Sequence, residues 1–227
     1  MARASFFEDF FGKGGALNAN LFDLALCTAP GDAKIEVLSS GTADLNGTGF
    51  LQILPYGQTG TIPSCSNAHY CSAILTSPEI KAKKLPTVGA VLLFRDTYPL
   101  EKLQALVGFT TVGQDGHAAS DIIALRLKNA ANESNAFEAV FKKSGSDVSG
   151  TPISTGVKPK EFQPIHLEIS LTPDGAMYMI DGRVVASVTA AAPTAAMNFE
   201  ILLAIYNSTT NITKEMLVDY AYGSLER

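Results

Sequence analysis

Two Asp-Gly dipeptides placed close together constrain the fold of this chain more than any other feature. Asp174-Gly175 and Asp181-Gly182 separate three apolar runs, LEISL, AMYMI and RVVASV. Asp-Gly favours the positive φ angles that a tight reversal between antiparallel strands requires. The sequence therefore predicts a meander of three antiparallel strands in this region.

The first strand of the meander alternates between apolar and polar residues. Side chains two residues apart lie on the same face of a strand, so alternation indicates one buried face and one open face. The apolar set is Ile165, Leu167, Ile169 and Leu171. The polar set is His166, Glu168 and Ser170. His166 is therefore interpreted as a polar neighbour of an adjacent strand.

Short apolar runs of this kind recur along the chain between clusters of Gly, Pro, Asn, Asp and Ser, as successive antiparallel strands do. No segment shows the sustained periodicity of a long amphipathic helix. We predict twelve strands, near residues 33–38, 48–54, 72–76, 89–97, 104–111, 121–128, 136–142, 165–171, 176–181, 184–189, 198–206 and 216–225. The Gly-, Ser- and Pro-rich stretch at 142–160 is predicted to be a long loop.

The charge of the chain argues against nucleic acid and membrane surfaces as partners. Its net charge is -5, and its basic cluster, Lys81, Lys83 and Lys84, is short and typical of a protected sheet edge. No run approaches the ~20 apolar residues of a membrane span. Glu8 and Asp9 interrupt the apolar stretch near the start, so no signal peptide is predicted. We expect a cytoplasmic protein unless it is carried in a larger particle.

The cysteines do not form a recognisable framework. There are three, an odd number, and Cys65 and Cys71 flank a loop in which a local disulfide is sterically feasible. Without an export signal, free thiols are favoured, but both states remain open. His69 lies between them, but one histidine with this cysteine spacing does not match the ligand pattern of a zinc site.

Four segments together resemble the concanavalin A-like lectin/glucanase superfamily, including laminin G-like domains. They are FEDFF, ALVGFTT, HLEISLTPDGAMYMIDGRVVAS and EMLVDYAYGSL, in that order along the chain. The resemblance implies an all-β, two-sheet antiparallel jelly-roll sandwich with an irregular N-terminal arm. We assign the arm to residues 1–30 and a single sandwich domain to residues 31–227.

The resemblance also implies a structural calcium ion, because related sandwiches often pin their first and last strands with one. The matching acids are Glu8 or Asp9 and Asp219. The alternative, that these acids cap turns or pair with basic side chains, is favoured. No other cofactor is expected.

An enzyme is not predicted. Relatives that hydrolyse glucans use a clustered E-x-D-x-x-E or E-x-D-x-E run, because hydrolysis requires two carboxylates flanking the sugar bond. This chain has no such run, Glu168 is the single acid of its strand, and tryptophan is absent. Glycoside hydrolase or lyase activity is therefore the least favoured hypothesis.

The favoured hypothesis is a structural module that docks on protein partners in a larger assembly, as a capsid decoration or accessory virion protein of a bacterial virus. We expect such a protein to be oligomeric or assembly-bound and located in the virion. The predicted docking residues belong to the aromatic arm: Phe6, Phe7, Phe10 and Phe11. The alternative is a lectin-like domain that binds a cell-surface glycan through loop residues. Its candidate residues are Tyr56, Tyr70, Tyr98, Asn207 and Asn211.

Overall fold

The computed structural model describes residues 4–8, 24–27, 34–38, 50–54, 69–75, 80–95, 103–111, 119–128, 135–148, 150–191, 194–205 and 215–225. These residues form sixteen strands and one 3-10 helix, Ala82–Lys84. The strands are β1 (Ala4–Glu8), β2 (Leu24–Cys27), β3 (Lys34–Leu38), β4 (Phe50–Leu54), β5 (His69–Leu75), β6 (Thr87–Arg95), β7 (Leu103–Thr110), β8 (Ile122–Lys128), β9 (Phe137–Lys143), β10 (Ser146–Asp147), β11 (Ile153–Ser154), β12 (Ile165–Thr172), β13 (Gly175–Ile180), β14 (Arg183–Thr189), β15 (Asn198–Ile205) and β16 (Glu215–Leu225).

The strands form two antiparallel sheets, which confirms the predicted all-β sandwich. Sheet A has the order β14-β13-β12-β6-β16-β4-β3, and β1 also pairs with β16. Along the same side of β16, β4 pairs with its first part and β1 with its last part. Sheet B has the order β10-β9-β8-β7-β15-β5-β2, and β11 also pairs with β9.

All twelve predicted strands are present. The largest difference in a boundary is at β5, which was predicted from residue 72 and begins at His69. The meander is confirmed as β12-β13-β14, in adjacent positions at one end of sheet A. At the first turn, a Cβ on Gly175 would lie 1.9 Å from the carbonyl oxygen of Val188, so only glycine fits there. At the second turn, Asp181 and Gly182 both have positive φ, 49° and 73°.

The core lies between the two sheets, and alternate residues of each strand supply it. On β12 the buried residues are those predicted: Ile165, Leu167, Ile169 and Leu171. Tyr178 on β13 is also fully buried, and its Oη donates a hydrogen bond to the carbonyl of Val140 on β9, at 2.8 Å. This bond joins sheet A to sheet B across the core.

Two parts of the predicted N-terminal arm belong to the sheets. Residues 4–8 form β1 in sheet A, and residues 24–27 form β2 in sheet B. Backbone pairing with β16 and β5 supplies their hydrogen bonds, which the local sequence does not reveal. The rest of residues 1–30 lies outside the described part, so the division into arm and domain stays a prediction.

Two other local predictions need correction. The predicted loop at 142–160 contains β10 and β11, which both pair with β9. The basic cluster at 81–84 does not lie along a regular strand edge, because Lys83 and Lys84 are in the 3-10 helix. Lys81 forms an isolated bridge with Asn198, and its Nζ donates to the Asn198 side chain.

Among the described residues, no helix has both the length and the apolar character that a bilayer span requires.

Candidate functional site

The outer face of sheet A carries the candidate site. The polar residues of β12 lie on the side opposite the core: His166, Glu168 and Ser170 are all half-buried, as their alternation predicts. The middle strand β6 contributes Thr87, Gly89 and Val91 to the same rows, through direct pairing with β12. This face is therefore polar along β12 and continues across β6 to β16.

A β-bulge decides which residues of β16 reach this face. Before the bulge, Met216 and Val218 point into the core, and after it Ala221 does. The extra residue, Asp219, shifts the alternation by one position. As a result, Tyr220 and Tyr222 lie on the outer face, where they are half-buried rather than in the core.

The register aligns these tyrosines with the polar residues of β12. Tyr222 pairs with Gly89, and Gly89 pairs with Glu168 on its other side. In the next row on the same face, Val91 pairs with Tyr220 on one side and with His166 on the other. Tyrosine side chains from β16 are thus directed toward the acid and the imidazole of β12, two strands away.

Gly89 leaves the space that allows contact across β6. A Cβ at this position would lie 2.6 Å from the Oη of Tyr222 and 2.8 Å from its Cε1, so the tyrosine ring lies directly over the glycine. In this position Tyr222 Oη donates a hydrogen bond to Glu168 Oε2. The same Oη is 2.8 Å from Nε2 of His166.

The environment of Tyr222 raises the pKa of its hydroxyl above the usual value for tyrosine. Burial is the main cause, followed by the hydrogen bond to Glu168 and the repulsion between a phenolate and the Glu168 carboxylate. Tyr222 therefore stays protonated at neutral pH and acts as a donor to Glu168. His166 Nε2 completes the set of groups around this oxygen.

Three rings pack together around this hydrogen-bonded centre. The His166 ring centroid is 5.7 Å from that of Tyr222 and 6.4 Å from that of Tyr220. The two tyrosine centroids are 6.3 Å apart, with 36° between the ring planes. These tilted arrangements are typical of favourable aromatic pairs. We call His166, Glu168, Tyr220 and Tyr222 the tyrosine–glutamate site.

Neighbouring hydrogen bonds fix the backbone of β12 beneath the site. The Asp181 side chain accepts from the His166 backbone N–H at 2.9 Å, and the Asp181 N–H donates to the His166 carbonyl at 2.9 Å. On the other side of the site, the Thr87 and Ser170 hydroxyls are 2.9 Å apart. The site thus lies on paired strands, which hold side chains more precisely than loops do.

The outer face of sheet B has a different character. It carries a second cluster of apolar side chains that are all buried: Leu106, Ala119, Ile122, Ala124, Val140 and Leu202. Glu200 on β15 is only 1% exposed, and its carboxylate accepts hydrogen bonds from Ser72 and Thr110. Glu138 on β9 is a half-buried carboxylate on this face, and it is paired with Arg126 at 3.0 Å. Among the side chains that the structure describes, half-buried rings beside a carboxylate are found on the outer face of sheet A.

The residues predicted for docking and for glycan binding are not among the four that define this site. Phe6 and Phe7 are in β1, where their backbones pair with Gly223 and Tyr222. Tyr70 is on β5 rather than in a loop, paired with Ala204. The remaining residues of the two sets lie outside the described part: Phe10, Phe11, Tyr56, Tyr98, Asn207 and Asn211. Both sets stay predictions.

The predicted calcium acids come from two paired strands. Glu8 is at the end of β1 and its backbone pairs with Ala221, two residues after Asp219 on β16. Asp9 lies outside the described residues. Among the residues that the structure describes, no group of three or more His, Cys, Asp or Glu side chains is placed to hold a metal ion. The calcium site stays a prediction.

Sequence reasoning missed Gly89, Tyr220 and Tyr222 as members of a site. The outward direction of His166 and Glu168 was predictable from alternation alone. Their partners were not, because the two tyrosines reach the same face only through the bulge at Asp219. A glycine in an otherwise apolar strand, TVGAV, is the one local signal of a close approach.

Comparison with known proteins supports the fold of the chain and shows no closer relationship. No protein-family model matches the chain, and no curated protein matches it. A β-1,3-glucanase from Mycobacterium marinum matches with a TM-score of 0.61 and 12% identity over 96% of this chain and 97% of its own. The Bacillus licheniformis β-glucanase matches with a TM-score of 0.60 and 12% identity over 98% of each chain. The carbohydrate recognition domain of Emp47p matches with a TM-score of 0.59 and 9% identity over 98% of this chain and 95% of its own.

These matches overturn the prediction that the chain is not an enzyme. Several of the matching structures are glycoside hydrolases, among them an endo-β-1,3(4)-glucanase from family GH16. The prediction was wrong because it treated a missing glutamate run and missing tryptophan as grounds for exclusion, although the fold itself is one that carries hydrolysis. Both glucanases and a lectin domain share the architecture described above. The chain therefore has the concanavalin A-like lectin/glucanase fold.

Proposed function

We propose that this protein binds carbohydrate on the outer face of sheet A, at the tyrosine–glutamate site. The observation that carries the proposal is the packing of two tyrosine rings and an imidazole against one another on that face, with the Tyr222 hydroxyl bonded to the Glu168 carboxylate. A sugar ring has an apolar face that packs on aromatic rings and hydroxyls that hydrogen-bond to carboxylate and imidazole groups. The site offers both kinds of contact at one place.

The contrast between the two sheets supports this location. Carboxylates are also present on the outer face of sheet B, but Glu200 is buried and engaged by the Ser72 and Thr110 hydroxyls, and Glu138 is paired with Arg126 at 3.0 Å. Glu168 is half-buried instead, with Tyr222 as its hydrogen-bond donor. A ligand needs accessible polar groups beside apolar surface, which is the condition that sheet A meets.

Binding measurements on the purified protein test the proposal. We use oligomers of β-1,3-linked glucose as the probe, because one matching structure is a β-1,3-glucanase. Isothermal titration calorimetry should detect binding to the wild type, and Tyr220→Ala should weaken it about tenfold or more through loss of a stacking ring. The matched control is Ser187→Ala, an exposed position on β14 of the same sheet. Equal affinities for wild type and Tyr220→Ala would contradict the proposal.

Glycoside hydrolysis is a second candidate for the same face, favoured by Glu168 as a half-buried carboxyl group in contact with a tyrosine hydroxyl. Hydrolysis needs a second carboxylate, about 5–5.5 Å away for retention or about 6.5–9.5 Å for inversion. Asp219, in the bulge next to Tyr220, is the nearest acid along β16. Release of glucose from the same oligomers should be lost in Glu168→Gln and in Asp219→Asn, and Asp219→Asn should still bind them, because Asp219 is not part of the tyrosine–glutamate site. No release by the wild type would eliminate this candidate.

Docking on a larger assembly, such as a bacterial-virus capsid, is a separate proposal that rests on the aromatic N-terminal sequence. Because β1 is paired within sheet A, deleting the first residues would also damage the sandwich. Substitution of Phe10 and Phe11 by Ala avoids β1 and is the cleaner variant. Sedimentation of the protein with virus particles, lost in this double variant, is the expected result. Unchanged sedimentation would exclude this mode of docking.

A further inference from the structure

A second β-bulge in sheet A, in β14, turns an apolar side chain onto the outer face. Tyr178 pairs with Ala186. Met179, the next residue of β13, pairs with Val184, so Val185 is the extra residue. Ala186 is in the core, and a regular strand would place Val184 there as well, because side chains two residues apart share a face. The bulge instead leaves Val184 on the outer face, 59% exposed, while Val185 packs against the core.

Val184 lies in the same row as the tyrosine–glutamate site. Met179 pairs with Val184 on one side and with Glu168 on the other. Glu168 pairs in turn with Gly89, and Gly89 pairs with Tyr222. The row therefore crosses five strands, from β14 through β13, β12 and β6 to β16. Glu168 is in its middle, with an aromatic ring on one side and two apolar side chains on the other.

Met179 is the apolar neighbour of the Glu168 carboxylate. Met179 is half-buried, and it lies on the outer face because Tyr178 and Ile180 beside it are in the core. Residues directly opposite each other on neighbouring strands have Cβ atoms about 4.5–5.5 Å apart. Met179 and Val184 therefore continue the surface away from Glu168 in two steps of about 5 Å each.

The Glu168 carboxylate has one oxygen for a ligand. Oε2 accepts the hydrogen bond from the Tyr222 hydroxyl. In the part of the chain that the structure describes, Oε1 has no hydrogen-bond partner, and solvent reaches it. An ionised carboxylate only accepts hydrogen bonds, so the ligand group beside it must be a donor. To use the whole row, that group must also carry an apolar part that reaches Met179.

An acetamido group on a sugar meets both requirements. Its N–H donates to a carboxylate oxygen at about 2.9 Å, and its methyl carbon lies about 2.5 Å from the nitrogen. These lengths together match the spacing of about 5 Å between Glu168 and Met179. A hydroxyl group in the same place could donate to Glu168 but would leave the apolar side chains of Met179 and Val184 in water.

We propose that the tyrosine–glutamate site prefers N-acetylated sugars, whose acetamido N–H donates to Glu168 and whose methyl group packs on Met179 and Val184. This inference rests on the proposed carbohydrate function and names its ligand class. The tyrosine rings bind the sugar ring itself, on the other side of Glu168. Met179 and Val184 are therefore specificity residues, and their loss should affect the acetylated ligand alone.

Two matched trisaccharides test this inference by calorimetry. They are the β-1,4-linked trisaccharides of glucose and of N-acetylglucosamine, which differ only in the substituent at C2 of each ring. The wild type should bind the acetylated trisaccharide about four- to tenfold more tightly, the effect of burying a methyl group. Tyr220→Ala should weaken the binding of both trisaccharides, because it removes a ring that packs on the sugar.

Variants on β13 and β14 locate the preference. Met179→Ala should reduce the ratio of the two affinities to below about twofold and leave the affinity for the glucose trisaccharide unchanged. Val184→Ser, at an exposed position, should lower the ratio in the same direction. The matched control is Met177→Ala, on the same strand and face but in the next row, where Met177 pairs with Ser170 and Ser187. It should keep the ratio of the wild type.

The outcomes distinguish the inference from the proposed function. If the wild type binds both trisaccharides equally and Tyr220→Ala weakens both, the carbohydrate function stands and the inference fails. If the wild type prefers the acetylated trisaccharide but Met179→Ala keeps that preference, or Met177→Ala loses it as fully, the acetamido group is bound elsewhere and the inference also fails. If the wild type binds neither, the proposed function fails for these ligands and the inference fails with it. Thermal melts verify that each variant is folded.

Discussion

The hydroxyl of Tyr222 reaches Glu168 across an intervening strand, and the intervening residue is a glycine. In sheet A, Glu168, Gly89 and Tyr222 form one row on β12, β6 and β16. The tyrosine ring occupies the space that a side chain at position 89 would fill. A hydrogen bond between residues on non-adjacent strands is therefore a direct consequence of one missing Cβ.

Gly89→Ala should break this arrangement. The new Cβ would be 2.6 Å from Oη of Tyr222, so the ring must move and its hydrogen bond to Glu168 is lost. We expect affinity for the glucose oligomers to fall about tenfold, the effect of roughly 1.4 kcal/mol. Calorimetry with wild type and Gly89→Ala provides the measurement, with Ser187→Ala as control. Unchanged affinity would show that the Tyr222–Glu168 contact is not needed for binding.

The ionisation of Tyr222 provides a second prediction. Burial, the Glu168 hydrogen bond and the Glu168 charge raise its pKa, so the folded protein holds the phenolic proton more tightly than the unfolded chain does. The stability that this proton confers is complete below the unfolded pKa of about 10 and is lost as pH rises above it, toward the folded pKa. We therefore expect the free energy of unfolding to decrease above about pH 10.

A tyrosinate absorbance titration checks this expectation. Burial also raises the pKa of Tyr178, so of the seven tyrosines both Tyr178 and Tyr222 should ionise only when the protein unfolds at alkaline pH. Tyr222→Phe should leave the absorbance change before unfolding unaltered and reduce the change on unfolding by one tyrosine. It should also reduce the dependence of stability on pH in this range. A loss of amplitude before unfolding would mean that Tyr222 ionises in the folded state.

The twelve predicted strands could be recognised because the sequence patterns that indicate them involve residues close together in the chain. Alternation in β12 and the Asp-Gly turns that flank β13 depend on neighbours in sequence, and both are found in the structure. β1 and β2 were missed because their partners, β16 and β5, are distant along the chain. β10 and β11 have only two residues each, too few for any periodic pattern.

The candidate site was only half predictable for the same reason. His166 and Glu168 share a face because they are two residues apart on one strand, which the sequence shows directly. Tyr220 and Tyr222 join them through a register across three strands and a one-residue bulge at Asp219. A bulge inverts the alternation that follows it, so a reading of β16 as a regular strand would place both tyrosines in the core.

Tyr178 should contribute to stability through the hydrogen bond that joins the two sheets. Tyr178→Phe keeps the buried ring but removes the donor to the Val140 carbonyl. We expect the free energy of unfolding to fall by about 1–2 kcal/mol. Urea denaturation measures this loss, with the exposed Ser187→Ala as control. A change no larger than that of the control would show that water or another donor replaces the Tyr178 hydroxyl.

Glu200, the buried carboxylate of sheet B, should contribute to the stability of the protein and not to carbohydrate binding. Glu200 accepts hydrogen bonds from Ser72 and Thr110 while only 1% exposed, so Glu200→Ala removes the acceptor of two buried hydroxyls and leaves a cavity. We expect a loss of about 2–4 kcal/mol, and a smaller loss for Glu200→Gln, whose amide oxygen still accepts one of the two bonds.

Urea denaturation compares both variants with Glu161→Gln, a half-buried acid in the segment before β12, which should change stability by less than about 0.5 kcal/mol. Because Glu200 lies on the sheet opposite the tyrosine–glutamate site, Glu200→Gln should bind the glucose oligomers like the wild type. If Glu200→Gln abolished oligomer binding while the protein remained folded, the carbohydrate site would have to be moved from sheet A to sheet B.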